Sequence, residues 1–180
     1  MCGRFFVDYD EDVEIYRAVK AMFPDNTELI KSGDIFPGDV FPVITSKSEI
    51  EPLRWGYKTR SKKLLINAKS ETVSERLTFK NDLQRRRCII ATSGFYEWSE
   101  DKEKHFYRRK SGVVYLAGIH STDGEFVILT RAAEEPISLI HSREPVILGK
   151  DECRPWLEYA PAGLFFGKSG NNSGLFDTAI

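Results

Sequence analysis

The sequence predicts an α+β fold whose core is a mostly antiparallel, barrel-like β-sheet accompanied by a few short helices. Three observations carry this prediction. Between Arg87 and Thr130 the chain consists of short β-branched or aromatic runs. The connections between these runs are too short to hold crossover helices, so neighbouring strands must be antiparallel. Elsewhere only three stretches have the spacing or punctuation of a helix.

Taken in order, RFFV after Gly3 reads as a strand, and Asp10 caps a helix whose apolar positions Tyr16, Val19, Met22 and Phe23 share one face before Pro24 ends it. A second helix is expected over Thr72 to Leu83. RCII (Arg87 to Ile90), FYEW (Phe95 to Trp98), HFYRR (His105 to Arg109), VVYLAGIH (Val113 to His120) and EFVILT (Glu125 to Thr130) read as strands. SEDKEK, KSG and STDG supply the Gly, Asp and Ser that tight turns between them need. A short third helix is expected over Asp151 to Tyr159, with Pro155 near its first turn. The run GKSGNNSG at Gly167 to Gly174 is too polar to pack. Residues 1–166 are therefore expected to form a single domain and 167–180 a flexible tail, with Leu175 to Ile180 loosely held.

Composition limits the function. The chain has 180 residues, 41% hydrophobic and 12% aromatic, enough to fill one sizeable core. Lys plus Arg is 26 and Asp plus Glu is 27, so any surface for a polyanion must be local. The three cysteines, at 2, 88 and 153, are odd in number and lack CxxC spacing, which argues against a disulfide framework and against a metal site. Cys88 and Cys153 are expected to be inert. No apolar run reaches the roughly 18 residues a membrane span needs, and no basic stretch leads into an apolar one at the start. A cytoplasmic protein without a membrane partner is the expectation. Nothing calls for a cofactor or an obligate dimer, so a monomer is expected.

The opening MCGRF is the most unusual stretch. Trimming of Met1, usual where a small residue follows, would leave an α-amine and a thiol on adjacent carbons, a 1,2-aminothiol. With ordinary pKa values of about 7.7 to 8.0 and about 8.5, a share of the amine is unprotonated at neutral pH and can attack an aldehyde. The sulfur can then close on the imine carbon to give a five-membered thiazolidine. The plainer reading is that Cys2 is a small residue leading into RFFV. Three further stretches hold candidate partners, each with its own plain alternative. INAKSET offers the amide of Asn67 and the cation of Lys69, or is simply a turn in which Ser70 or Thr72 caps the following helix. In SGFYEW, alternation puts Phe95 and Glu97 on one strand face; pointing inward, Glu97 suits acid/base work, and pointing outward it is a solvated strand residue. In IHSREPVI, His141 is either a proton-transfer group or a core hydrogen-bonding residue.

MCGRF, LRWG (Leu53 to Gly56), NAKSET (Asn67 to Thr72), RRCIIATSGFYEW (Arg86 to Trp98), AGIH (Ala117 to His120), VILT (Val127 to Thr130) and HSREPVIL (His141 to Leu148) occur in the order seen in the SRAP family. The sequence resembles these SOS-response-associated peptidases, also called abasic-site processing proteins, over residues 1 to about 160. The resemblance implies recognition of abasic sites in single-stranded DNA and covalent linkage to them through Cys2, which shields the lesion. It implies catalytic roles for Cys2 as nucleophile, Asn67 as holder of the amino-terminal residue, Glu97 as proton carrier and His141 as assistant to sugar-ring opening. It implies DNA-binding roles for Arg4, Lys69 and Arg143 at phosphates and for Trp55 near the bases. Autocatalytic removal of Met1 and lyase-like chemistry are implied as well.

The sequence also departs from that pattern. Lys69 stands where Arg is usual, turning a bidentate phosphate contact into a point charge. Glu144 stands where Met is usual, an acid expected beside the DNA path. Two other functions remain open at this stage. One is a cysteine peptidase or amidase of the amino-terminal-nucleophile type. The other is a non-catalytic single-strand binder using Lys58 to Lys63, Arg85 to Arg87 and Arg108 to Lys110.

Overall fold

The computed structural model describes residues 2–9, 32–46, 49–109, 112–167 and 174–179. The helix expected from Asp10 to Phe23 lies outside them. The strands are β1 (Phe5–Val7), β2 (Gly33–Ile35), β3 (Val40–Thr45), β4 (Ile50–Trp55), β5 (Tyr57–Lys58), β6 (Leu64–Leu65), β7 (Asn67–Lys69), β8 (Arg87–Thr92), β9 (Gly94–Trp98), β10 (Lys104–Arg109), β11 (Val114–His120), β12 (Glu125–Ala132), β13 (Arg143–Pro145), β14 (Ile147–Leu148) and β15 (Leu175–Ala179). The described α-helices are α1 (Lys80–Arg85), α2 (Lys150–Leu157) and α3 (Gly163–Phe166).

Strands β3, β4, β12, β11 and β8 form a closed ring, antiparallel at every junction except the parallel β4–β12 contact. A second sheet in the order β15-β10-β9-β1-β2 packs beside it. The fold is α+β with a barrel at its centre. Barrel strands such as RCIIAT are buried at every position because both faces are covered. Cys88 and Ile90 join Phe5, Phe41, Trp55, Phe95, Tyr107 and Phe126 in one core. Ile89 faces the other way, into a layer with Trp156, Leu157 and Phe165 from α2 and α3.

The β3–β4 hairpin shows how the barrel tolerates proline. Pro42 lies directly opposite Pro52. Ladder bonds fall on odd-numbered residues, Trp55 N–H to the Asp39 carbonyl at 2.9 Å and Thr45 N–H to the Glu49 carbonyl at 2.8 Å. The proline pair therefore occupies a position with no ladder bond to lose. Gly94 is required by close approach: a Cβ there would lie 2.5 Å from the Phe106 ring and 2.6 Å from the Tyr107 carbonyl.

Three expectations are corrected. The helix placed over Thr72 to Leu83 forms only as α1; the preceding residues make separate turns, such as Val73 N–H to the Lys69 carbonyl at 2.9 Å. Thr72, Val73, Ser74 and Thr78 are weak helix formers, and burial of Val73 and Phe79 fixes the turns instead. Pro155 sits in the second turn of α2 rather than its first. Leu175–Ala179 is no loose tail: it pairs along the whole of His105 to Arg109 as β15.

Candidate functional site

The amino end of the chain is threaded between the two sheets. β1 pairs antiparallel with β9, Phe5 opposite Phe95 and Phe6 opposite Gly94, and Tyr96 N–H continues the ladder to the Arg4 carbonyl at 3.0 Å. This register carries Cys2 past Glu97. β7 runs parallel to β12 with Asn67 opposite Ile128, which brings the Asn67 amide to the same place. Its Nδ2 donates to the Cys2 carbonyl at 2.9 Å. The Asn67 Oδ1 is buried and has no hydrogen-bond partner among the described residues.

The Cys2 side chain is fully buried and its Sγ lies 3.8 Å from the Arg4 carbonyl. Burial, then the Glu97 charge, pushes the thiol pKa well up, so the sulfur is held as a neutral thiol. Glu97 is 1% exposed, which settles its direction as inward. Burial raises its carboxyl above the ordinary range, opposed by the charge of the amino terminus and by His141. These mutual effects tie Cys2, Glu97 and His141 into one electrostatic cluster.

His141 follows the 3₁₀ turn Ile137–Leu139. Its Nδ1 accepts from the Arg143 N–H at 2.9 Å and lies 3.0 Å from the Arg143 carbonyl. The neutral ring therefore carries its proton on Nε2, while a protonated ring can donate from Nδ1 to that carbonyl. The imidazole is held by the main chain of the same residue in either state.

The other predicted residues divide. Lys69 is exposed at the end of β7, close to Asn67 in the chain. The Arg143 guanidinium forms a two-pronged bond to Glu71, at 2.5 and 3.0 Å, and a third bond to the Thr130 carbonyl at 2.8 Å. Arg4 reaches Asp34 at 3.4 Å and stacks over Phe36, Trp98 and Tyr96 at 4.6, 5.2 and 5.8 Å. Trp55 is corrected. It is wholly buried, stacks on Phe126 and donates from Nε1 to the Ile66 carbonyl at 3.0 Å, so no base can reach it. The basic run Arg85 to Arg87 is also not an open cationic face: Arg86 is paired with Asp82, and Arg87 is buried against the carbonyls of Leu83, Trp156 and Ala160. Cys88 is buried with its thiol pKa raised, and burial pushes Cys153 up to about 12.

Glu71 and Asp34, the carboxylates that hold the two arginines, were not singled out by sequence reasoning. Glu71 had a signal, as an acid within the same NAKSET block as Asn67. Asp34 had none, being brought to Arg4 by the β1–β2 register. Glu144, expected beside the DNA path, is instead fully buried and paired with Arg131. No group of residues suited to holding a metal ion occurs among the described residues, and no described helix is long and apolar enough to cross a membrane.

A buried thiol, a side-chain amide gripping the thiol residue's main chain, a carboxyl of raised pKa and an imidazole are gathered at the start of the chain. The chain belongs to the SRAP family, the SOS response associated peptidases, whose profile matches residues 1–163. It is 31% identical over 184 residues to the abasic site processing protein YedK of Escherichia coli strain K12, covering 91% of this chain and 82% of that one. It is likewise 31% identical over 181 residues to the abasic site processing protein YoqW of Bacillus subtilis strain 168, covering 87% and 80%. The abasic site processing protein HMCES of Gallus gallus is 27% identical over 145 residues, or 62% of this chain and 41% of that one. The fold is similar to the crystal structure of a Bacteroides thetaiotaomicron protein, with a TM-score of 0.76 at 21% identity over 92% of this chain and 88% of that one.

Proposed function

We propose that this protein captures abasic sites in single-stranded DNA as a covalent thiazolidine adduct of Cys2, shielding the lesion, and that it acts as a monomer in the cytoplasm. The observation that carries this reading is the meeting of Cys2, Asn67, Glu97 and His141 at the amino end of the chain. The relatives' shared description as abasic site processing proteins supports it.

In this mechanism Met1 is removed first, by the protein itself, so that the α-amine belongs to Cys2. Asn67 keeps the main chain of residue 2 fixed while the amine is exposed. An abasic deoxyribose is mostly a closed hemiacetal, and His141 moves the proton that opens it to the aldehyde. The amine adds to the carbonyl carbon to give a carbinolamine. Glu97, with its raised pKa, donates a proton to the departing hydroxyl, and water leaves as the protonated imine forms, with Glu97 now a carboxylate. The Cys2 thiol, also held neutral, then gives its proton to the Glu97 carboxylate as sulfur bonds to carbon and the C=N electron pair passes to nitrogen, which leaves Glu97 protonated as it began. One water is lost overall and no redox partner is needed. The imine step gives the protein its lyase-like character. Lys69 supplies an exposed cation for phosphate, while Arg4 and Arg143 reach phosphate by sharing themselves with Asp34 and Glu71.

The other readings have less support. A peptidase acting on other chains would use the same thiol, and the relatives' shared description as abasic site processing proteins favours capture of a lesion over it. A purely electrostatic binder needs open basic clusters, and Arg86 and Arg87 are engaged internally. The test is incubation of the mature protein with single-stranded DNA carrying one abasic site. The expected result is a heat-stable, slower-migrating species whose mass equals protein plus DNA less one water. A Cys2→Ala variant should give none; equal behaviour of the two would overturn the mechanism.

A further inference from the structure

We propose that Glu144 and Arg131 form a positioning pair for His141, with the buried Glu144 carboxylate holding the base of the loop that carries the imidazole. The inference rests on the role given to His141 above. Residues 133–142 leave the barrel after β12 and return in β13, where Ala132 lies opposite Arg143 and Arg131 opposite Glu144. Ala133 N–H closes the mouth of this loop on the Ser142 carbonyl at 3.0 Å.

Glu144 is 0% exposed and Arg131 3%. One carboxylate oxygen accepts from Arg131 Nε at 2.7 Å and the other from the main-chain N–H of Glu134 at 3.1 Å. The Arg131 guanidinium also donates to the Gly167 carbonyl, and its Nη2 lies 3.9 Å from a Glu134 carboxylate oxygen. From Glu134 the bonds run on through the loop: Ser138 N–H to the Glu134 carbonyl, then His141 N–H to the Ile137 carbonyl, each 2.9 Å. The peptide gripping His141 Nδ1 is that of Arg143, the residue before Glu144. The buried carboxylate thus fixes both the outgoing strand and the returning one, and through them the imidazole.

A fully buried acid is costly unless it is paired and hydrogen-bonded, and here one guanidinium and one main-chain amide at the foot of this loop each take one of its oxygens. A methionine at this position would offer neither bond. The acceptors of Arg131 and the Glu134 amide would be lost together.

Variants Glu144→Met and Arg131→Met/Glu144→Met test the pairing. The single variant strands a buried guanidinium and should unfold readily. The double removes both charges and should fold, because a buried pair exchanged for apolar groups is often neutral. The readouts are the ¹⁵N shifts of the imidazoles, few enough to assign with three histidines in the chain, and the crosslinking rate at saturating DNA. Wild type should show His141 as a single Nε2–H tautomer. The double variant should show averaged ring shifts and a rate lower by roughly ten- to a hundredfold. A double variant with the wild-type tautomer and rate would overturn the proposal. So would fast hydrogen exchange at the Glu134 amide of wild type, a measurement that needs no variant. If wild type forms no crosslink at all, the functional reading fails while the tautomer and exchange measurements still decide the positioning role.

Discussion

The side-chain amide of Asn67 donates to the main-chain carbonyl of Cys2 at 2.9 Å, across 65 residues of sequence. The bond leaves the α-nitrogen and sulfur of residue 2 uncommitted to Asn67 while fixing the main chain next to the carbons that bear them. Asn67→Ala should therefore slow crosslinking by roughly ten- to a hundredfold through loss of orientation, with little change in affinity for undamaged single strands. Asn67→Asp should be slower still, since a carboxylate facing a carbonyl repels it. Single-turnover gel assays separate the two. An Asn67→Ala rate equal to wild type would reduce the bond to a structural one.

Glu97 should hold function and stability in opposition. Its folded pKa is raised above the ordinary 4.5 by burial, so the folded state binds the proton more tightly than the unfolded one. Stability is then lost as pH rises from 4.5 through the raised value. Glu97→Gln, permanently neutral and of the same shape, should melt at a higher temperature than wild type at neutral pH, and the difference should vanish below pH 4.5. The same variant should crosslink slowly. A lower melting temperature at neutral pH would show that the carboxylate is stabilising and that its proton-donor role needs another explanation.

Much of this arrangement was legible in the sequence, and what was missed has physical causes. The strands over Arg87 to Thr130 were visible because both faces are buried and their turns carry Gly, Asp and Ser. β3 and β4 went unnamed because Pro42 and Pro52 argue against a strand one at a time; only their cross-strand pairing makes them harmless. Cys2, Asn67, Glu97 and His141 could be chosen by chemistry. The partners that restrain Arg4 and Arg143 depend on register between distant strands, which no local pattern encodes. Trp55 misled because an aromatic in a motif block gives no sign of whether it faces solvent or core.

The Glu71–Arg143 pair predicts an acid-sensitive and a salt-sensitive response. The Arg143 hydrogen bonds hold the Glu71 carboxyl at about 2, below its ordinary 4.5. Its stabilisation is present above pH 4.5 and is lost as pH falls toward 2. Glu71 is half exposed, so the effect is small. Glu71→Gln should flatten wild type's loss of stability over that window. With its guanidinium released, Arg143 should bind single-stranded DNA more tightly and steepen the log–log salt dependence by about 0.7. An unchanged salt slope would mean that Arg143 stays on Thr130 and does not meet phosphate.

Trp55→Phe should separate packing from recognition. The indole's bond to the Ile66 carbonyl would be lost and its volume in the core reduced, costing about 1 to 3 kcal/mol. Affinity for single-stranded DNA, measured by anisotropy well below the melting temperature, should not change. Weaker binding without loss of stability would place this ring at the DNA after all.

Removal of residues 168–180 tests whether β15 is part of the fold. Leu175 is 8% exposed, and the strand pairs with β10 from His105 to Arg109, while the other edge of β10 holds β9 with His105 opposite Glu97. The truncated chain loses the burial of Leu175, worth on the order of 2 kcal/mol, and leaves HFYRR as an open edge able to pair with a second copy. It should melt at lower temperature and form concentration-dependent dimers or larger species in sedimentation velocity, while the full chain stays monodisperse. Because β10 also braces the strand that carries Glu97, crosslinking by the truncated protein should fall even at temperatures where it remains folded. A truncated chain that is monomeric, equally stable and equally fast would return these residues to the role of a dispensable tail.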